Sequence, residues 1–184
     1  MPDKETCRLY GGNNWYRIKK FDDTYYNKLR LGMLTVVDSK ISTSSIKKFR
    51  IRMLTEKGSN GVPKSSVIKK IYVDFFDKSS GKEIATVELN LDGRSLFTNV
   101  TSGEDHALIE STNVHLTTGS SFDFKKIGKS INIITDFGVE VTVHLPPPYM
   151  YVFIRVPYAQ YFDNVEGFCG HIDYENDRND CTEK

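Results

Sequence analysis

At 184 residues, with 39% hydrophobic, 12% aromatic and 27% charged side chains, the chain has the composition of a globular protein and the length to bury a core, which excludes a disordered chain. No stretch approaches the ~20 apolar residues of a spanning helix, so no membrane insertion is expected. A formal net charge of +1 argues against a protein built for phosphate backbones, so no nucleic-acid partner is expected either.

The period is two nearly everywhere, which predicts strands. Phe49, Ile51 and Met53 alternate with Arg50 and Arg52; Ile71, Val73 and Phe75 alternate with Tyr72 and Asp74; Ala85, Val87, Leu89 and Leu91 alternate with Thr86, Glu88 and Asn90. Asp92-Gly93 then predicts a two-residue hairpin turn. Phe137, Val139, Val141, Val143 and Leu145 form a further alternating strand, closed by Pro146-Pro147-Pro148, which cannot donate ladder hydrogen bonds. From Tyr149 to Val156 nearly every residue is apolar, which predicts a central strand covered on both faces. The connections 38–45 and 55–66 read as loops. Many short strands joined by turns define an all-β class, an antiparallel β-sandwich, and the whole of 1–184 reads as one domain with its core at about 7–181.

The first residues, Met1-Pro2-Asp3-Lys4-Glu5-Thr6, lack the apolar core of a secretory signal, which taken literally means cytosol. Cys7, Cys169 and Cys181 are too few for a cysteine-dense scaffold and lack the C-x-x-C spacing of zinc sites. Two alternatives follow: three reduced thiols in the cytosol, or a piece of a longer secreted chain whose signal peptide lies upstream.

Little in the chain has catalytic spacing. Gly128-Lys129-Ser130 lacks the first glycine of a phosphate-binding loop, because Asp123 stands there. His106, His115, His144 and His171 show no zinc-protease spacing, and no serine sits in a G-x-S-x-G elbow. A Cys169–His144 nucleophile pair would lack a third, orienting group. Tyrosines interleaved with basic residues suit nucleobase stacking, but on strands they serve more often as core and cross-strand pairs. Asn99-Val100-Thr101 is an N-glycosylation acceptor. Near the end, Asp173, Glu175, Asp177 and Asn179 put oxygen side chains on every second residue, a pattern that suits either a hard-cation loop for Ca²⁺ or a solvated acidic turn.

Gly167-Phe168-Cys169-Gly170, followed by the Asn- and Asp-rich stretch to Asn179-Asp180, resembles the closing motif of von Willebrand factor type D domains. Asp136-Phe137-Gly138-Val139-Glu140-Val141 resembles one strand of that family, and Phe21-Asp22-Asp23 resembles its Phe-Asp-Gly near the start. The resemblance extends from about residue 7 to 181. It implies a Cys7–Cys169 disulfide, with Asp22, Asp173, Asn179 and Asp180 as side-chain calcium ligands and the carbonyl of Glu175 as a backbone ligand. Four departures stand out: His171 where the family has Asn, no Asp-Pro bond near Asn14-Trp15-Tyr16-Arg17 and hence no expected self-cleavage, no cysteine near Gly32-Met33-Leu34, and an extra Cys181 available to another module or chain.

The expectation from the resemblance is a non-catalytic extracellular module of a larger secreted or cell-surface protein. It would contact protein partners or neighbouring modules in adhesion or matrix, and would bind Ca²⁺ at a site weakened by His171. The alternatives are the C-terminal type D module of a lipid-transport or yolk-type protein and, remotely, a cysteine-dependent hydrolase using Cys169.

Overall fold

The computed structural model describes residues 4–12, 15–26, 30–40, 47–58, 66–90, 92–116, 119–145, 149–170 and 172. The chain begins with β1 (Lys4–Gly11), β2 (Tyr16–Lys19) and β3 (Tyr25–Tyr26), which form one end of the first sheet. It then crosses to a second sheet and runs through β4 (Gly32–Ser39), β5 (Phe49–Lys57), β6 (Ser66–Phe76), β7 (Glu83–Asn90), β8 (Ser95–Asn99) and β9 (Glu104–Ala107) as a meander. A second meander, β10 (Thr112–His115), β11 (Ser121–Ile127), β12 (Ser130–Thr135), β13 (Glu140–His144) and β14 (Met150–Pro157), returns to the first sheet and sets β14 beside β1. A helical turn, α1 (Tyr158–Tyr161), leads to β15 (Val165–Glu166), which pairs with β4 at the edge of the second sheet.

Among the described residues the two antiparallel sheets have eight and seven strands and pack as a sandwich. Alternation explains the core. Cys7 and Leu9 of β1, Ile51 and Met53 of β5, Val141 and Val143 of β13, and Val152 and Ile154 of β14 all point inward and bury fully or nearly so in one shared cluster. Rings join the layers: Phe75 stacks on Phe122 at 5.2 Å, and Phe49 approaches Phe137 at 6.0 Å.

Three expectations need correction. The strand read over 137–145 starts at Glu140, because Thr135, Phe137 and Gly138 form a tight turn in which Val139 N donates to Thr135 Oγ1 and Gly138 takes a φ of 87°. The turn at Asp92-Gly93 is three residues long, since the β7–β8 ladder closes between Asn90 and Arg94. β14 is central but covered on one face only: Val152, Ile154 and Val156 are buried, while Tyr151 and Phe153 are half-buried and Arg155 is exposed on the other side. Its apolar run is an aromatic outer row, not a second core face.

Candidate functional site

β1 and the stretch that follows β14 meet at one corner of the sandwich. Cys7 points inward from β1, the third strand from one edge of the first sheet, opposite Ile154. The later stretch reaches it through a chain of fixed points. Tyr161 is fully buried, packs edge-on against Phe49 at 5.1 Å and donates its hydroxyl to Lys47 O at 2.8 Å, and burial pushes its phenol well above the usual range. Asp163 turns the chain at a φ of 54°, and β15 then lies against Asp38 and Ser39.

Gly167 is required at the next step. Its φ is 118°, and a β-carbon there would sit 2.6 Å from Val36 O, a backbone atom that cannot yield. That close approach lets Phe168 N donate to Thr35 O at 3.2 Å and Cys169 N to Val36 O at 2.9 Å. Cys169 is thereby bound to the second sheet while its sulfur joins Cys7 of the first, with a Cα–Cα distance of 5.7 Å across 162 positions. In a chain-entropy model a loop this long contributes about 5 kcal/mol. The bridge uses the Cys169 sulfur, so a nucleophilic thiol at this position has no basis.

Asp22 stands beside this closure. Phe21 N donates to Cys169 O at 3.0 Å, which fixes the Phe21-Asp22-Asp23 turn against the closing motif. One carboxylate oxygen of Asp22, Oδ1, accepts from Thr24 N at 2.9 Å and Thr24 Oγ1 at 2.6 Å. The other, Oδ2, is buried and has no partner. Asp23 holds a φ of 65° and pairs with Lys19 at 2.7 Å. Glu5 is also nearby: its carboxyl is pushed up by burial and further by the charge of Asp23. Ile172, fully buried, accepts from Asp163 N at 2.8 Å and leads into the acidic stretch. Asp173, Glu175, Asn179 and Asp180 lie outside the described residues, as does Cys181. Among the described residues, no three His, Cys, Asp or Glu side chains gather as metal ligands.

Asn99 closes β8, and its Oδ1 accepts from Thr101 N at 3.1 Å and Ser102 N at 3.2 Å, forming an exposed turn before β9.

Two features of the outer faces escaped the sequence reading. Asp74, fully buried on the outer side of β6, accepts from Arg52 Nε at 2.6 Å, Arg52 Nη2 at 2.7 Å and Arg50 Nε at 2.8 Å. Arg50 continues to Glu83 at 3.0 Å, and Thr86 Oγ1 lies within hydrogen-bond distance of both Asp74 and Glu83. Asp38, next to Glu166 across the β4–β15 pair, has a buried, unpartnered Oδ1, and burial raises its carboxyl above the usual range against the pull of Lys48 and Arg50. Alternation marks Arg50, Arg52, Asp74 and Thr86 as outward-facing, whereas Asp38 was read as the start of a loop; only the register shows which of them meet. No family model and no curated protein matches this sequence.

Proposed function

We propose that the chain is a non-catalytic extracellular module of the von Willebrand factor type D kind, part of a larger secreted or cell-surface protein, whose surfaces make protein contacts in adhesion or matrix. The observation that carries this reading is the corner: a fully buried Cys7–Cys169 bridge beside the unpartnered, buried Oδ2 of Asp22. Structural disulfides persist in oxidising compartments, which favours the secreted alternative over the cytosolic one. The positive φ of Asp23 adds support, because the residue occupies the place where the family's motif has glycine.

A hard cation fits the corner. Oxygen ligands suit Ca²⁺, and a buried carboxylate oxygen without a donor is costly unless something positive meets it. Asp22 would hold the ion together with the side chains of Asp173, Asn179 and Asp180 and the carbonyl of Glu175. Ca²⁺ would supply a charge that draws the early turn and the late acidic stretch together, clamping the ends that the disulfide already joins. Asn99 would carry a glycan on the opposite side of this chemistry.

The test is a Ca²⁺ titration of the oxidised protein followed by thermal unfolding and limited proteolysis, beside disulfide mapping of native protein under non-reducing conditions. At a hundredfold excess over the dissociation constant, the ion adds about 2.7 kcal/mol, a rise on the order of 5–10 °C for a domain of this size. Asp22→Asn is expected to abolish that rise. An unchanged melting temperature in the wild-type protein removes the calcium clamp, and free thiols at Cys7 and Cys169 remove the extracellular reading.

A further inference from the structure

The geometry points to one end of the sandwich as a docking surface for an anionic phospholipid bilayer, a partner outside the protein contacts proposed above. The most exposed large hydrophobic side chains among the described residues, Ile127 at 74%, Ile109 at 73% and Leu31 at 60%, all lie at this end, and Trp15 and Tyr149 join them. Register and hydrogen bonds fix the placement. Trp15 closes the β1–β2 turn, where its carbonyl accepts from Gly12 N at 3.0 Å, and Tyr149 leads into β14 at Met150, opposite Gly11. Arg30 N donates to Tyr16 Oη at 2.7 Å, while the Thr55 and Ser66 hydroxyls donate to Arg30 O at 2.6 and 2.9 Å, so Leu31 sits where β2 begins and β5 ends. Ile127 is at the tip of the β11–β12 hairpin, and Lys126 Nζ ties that hairpin to Gly93 O, in the β7–β8 turn of the other sheet, at 3.1 Å. Ile109 follows Leu108, whose N–H donates to Ser95 O beside the same turn.

Lysines flank the most prominent of these tips. Lys125, Lys126 and Lys129 are exposed on the hairpin that carries Ile127, and no ion pair among the described residues takes up Lys125 or Lys129. The acids nearby are engaged or set back. Asp92 accepts from Arg94 Nε at 2.7 Å, and Asp123, two residues further into β11 than Lys125, accepts from Asn113 Nδ2 at 2.7 Å. Glu56 adjoins Lys57, and Glu110 belongs to the β9–β10 link. A lysine stem lies along apolar surface while its ammonium group reaches out, which lets these side chains meet lipid phosphates around an apolar tip.

The arrangement suits a bilayer better than a rigid partner. The apolar tips come from separate connections, divided between the two sheets, with polar backbone between them. A folded protein would need a matching hole for each, whereas a headgroup layer yields to each side chain independently. A soluble polyanion would meet the lysines and gain nothing from Ile127, Ile109 or Leu31. Trp and Tyr, each with an apolar ring and a polar tip, favour the boundary between hydrocarbon and headgroups. The contact is peripheral, with the tips entering no deeper than the headgroup and acyl boundary. The Asp22 turn and Asn99 lie at the opposite end of their strands, clear of the bilayer.

Trp15 is the only tryptophan of the chain and therefore the reporter. The oxidised protein, with chelator to remove Ca²⁺, is mixed with vesicles of phosphatidylserine and phosphatidylcholine or of phosphatidylcholine alone, and binding is read by co-sedimentation and by Trp15 emission. The phosphatidylserine vesicles are expected to bind, more weakly as salt rises, and to move Trp15 emission to shorter wavelength, with phosphatidylcholine at least about tenfold weaker. Lys125→Gln with Lys129→Gln should weaken binding by about tenfold or more and flatten the salt dependence. Ile127→Ser should weaken it about threefold to tenfold with the salt dependence unchanged. Lys82→Gln, in an exposed turn at the opposite end, should change nothing. Absence of co-sedimentation, equal binding to phosphatidylcholine, or indifference to both sets of substitutions overturns the proposal. A Trp15 shift that follows protein concentration without vesicles, with dimers in analytical ultracentrifugation, would assign this end to a second copy of the chain and overturn it as well.

Discussion

Arg50 and Arg52, on the outer face of the seven-stranded sheet, close on the fully buried Asp74, whereas Arg8 and Lys19, on the outer face of the eight-stranded sheet, face each other. Both faces arise from the same alternation of apolar and basic residues along a strand. The first satisfies its charges internally and covers them: Arg52 lies over Tyr72 at 4.9 Å and Arg50 over Phe76 at 5.3 Å. The second interleaves aromatic rings and cations. The first face gathers its charges on one buried acceptor, while the second pairs them singly, Lys19 with Asp23 and Lys4 and Arg155 with Glu140.

The largest expected effect comes from breaking the closed face. Asp74→Ala removes the acceptor of three arginine N–H groups in a covered site and leaves two guanidinium groups without it, a cost of about 3–5 kcal/mol in urea unfolding. Replacing the group together, Asp74→Leu with Arg50→Met and Arg52→Met, is expected to restore stability to near the wild-type value, because the desolvation of the charges disappears with them. If Asp74→Ala costs less than about 1 kcal/mol, the closed face is no more than an ordinary surface ion pair.

A second effect sharpens the boundary between the rows of the open face and its one acidic row. Lys4 Nζ meets Glu140 Oε1 at 2.6 Å and Arg155 reaches Oε2 at 3.5 Å. The hydrogen bond from Lys4 comes first among the causes that hold the Glu140 carboxyl below its usual value of 4.5, with the charges of Lys4 and Arg155 adding to it against the opposing effect of burial. A group depressed in the folded state contributes stability above its unfolded value and loses it as the pH falls through the folded one. Glu140→Gln should therefore be less stable than wild type at neutral pH, and the gap should close as the pH drops below 4.5. A gap that stays constant with pH would show that the carboxylate's charge is not what the two cations engage.

Local alternation made much of this fold legible. The inward sets at Phe49, Ile51 and Met53, at Ile71, Val73 and Phe75, and at Ala85, Val87 and Leu89 are all core. The first strands were harder to read because β2 and β3 are short and because a register shift between Thr35 and Val37 puts the adjacent Val36 and Val37 both inside, which breaks the period of two. Asp74 looked like any outward polar residue. Its burial depends on Arg50 and Arg52 arriving from β5 and Thr86 from β7, partners fixed by register across two hairpins. At the corner, the family resemblance supplied the Cys7–Cys169 pairing that no spacing rule could give, and the structure contains it. The unpartnered oxygen of Asp22 was invisible in the sequence, since nothing local shows that Phe21 binds Cys169 O.

The smallest effects test whether the open face bears an electrostatic load. Thr6 lies opposite Arg155 and two residues from Arg8 on the same face, so Thr6→Glu places a carboxylate near both and should stabilise the protein by about 0.2–1 kcal/mol. Arg8→Gln removes the like-charge neighbour of Lys19 but also a guanidinium packed on Phe153, and these oppose each other. The net change should stay within about 0.5 kcal/mol. Its salt dependence is the informative part. If the repulsion is felt, the variant gains relative to wild type at low salt, and the gain fades as the Debye length shortens. A loss that is the same at every salt concentration would mean that Arg8 is held by packing alone.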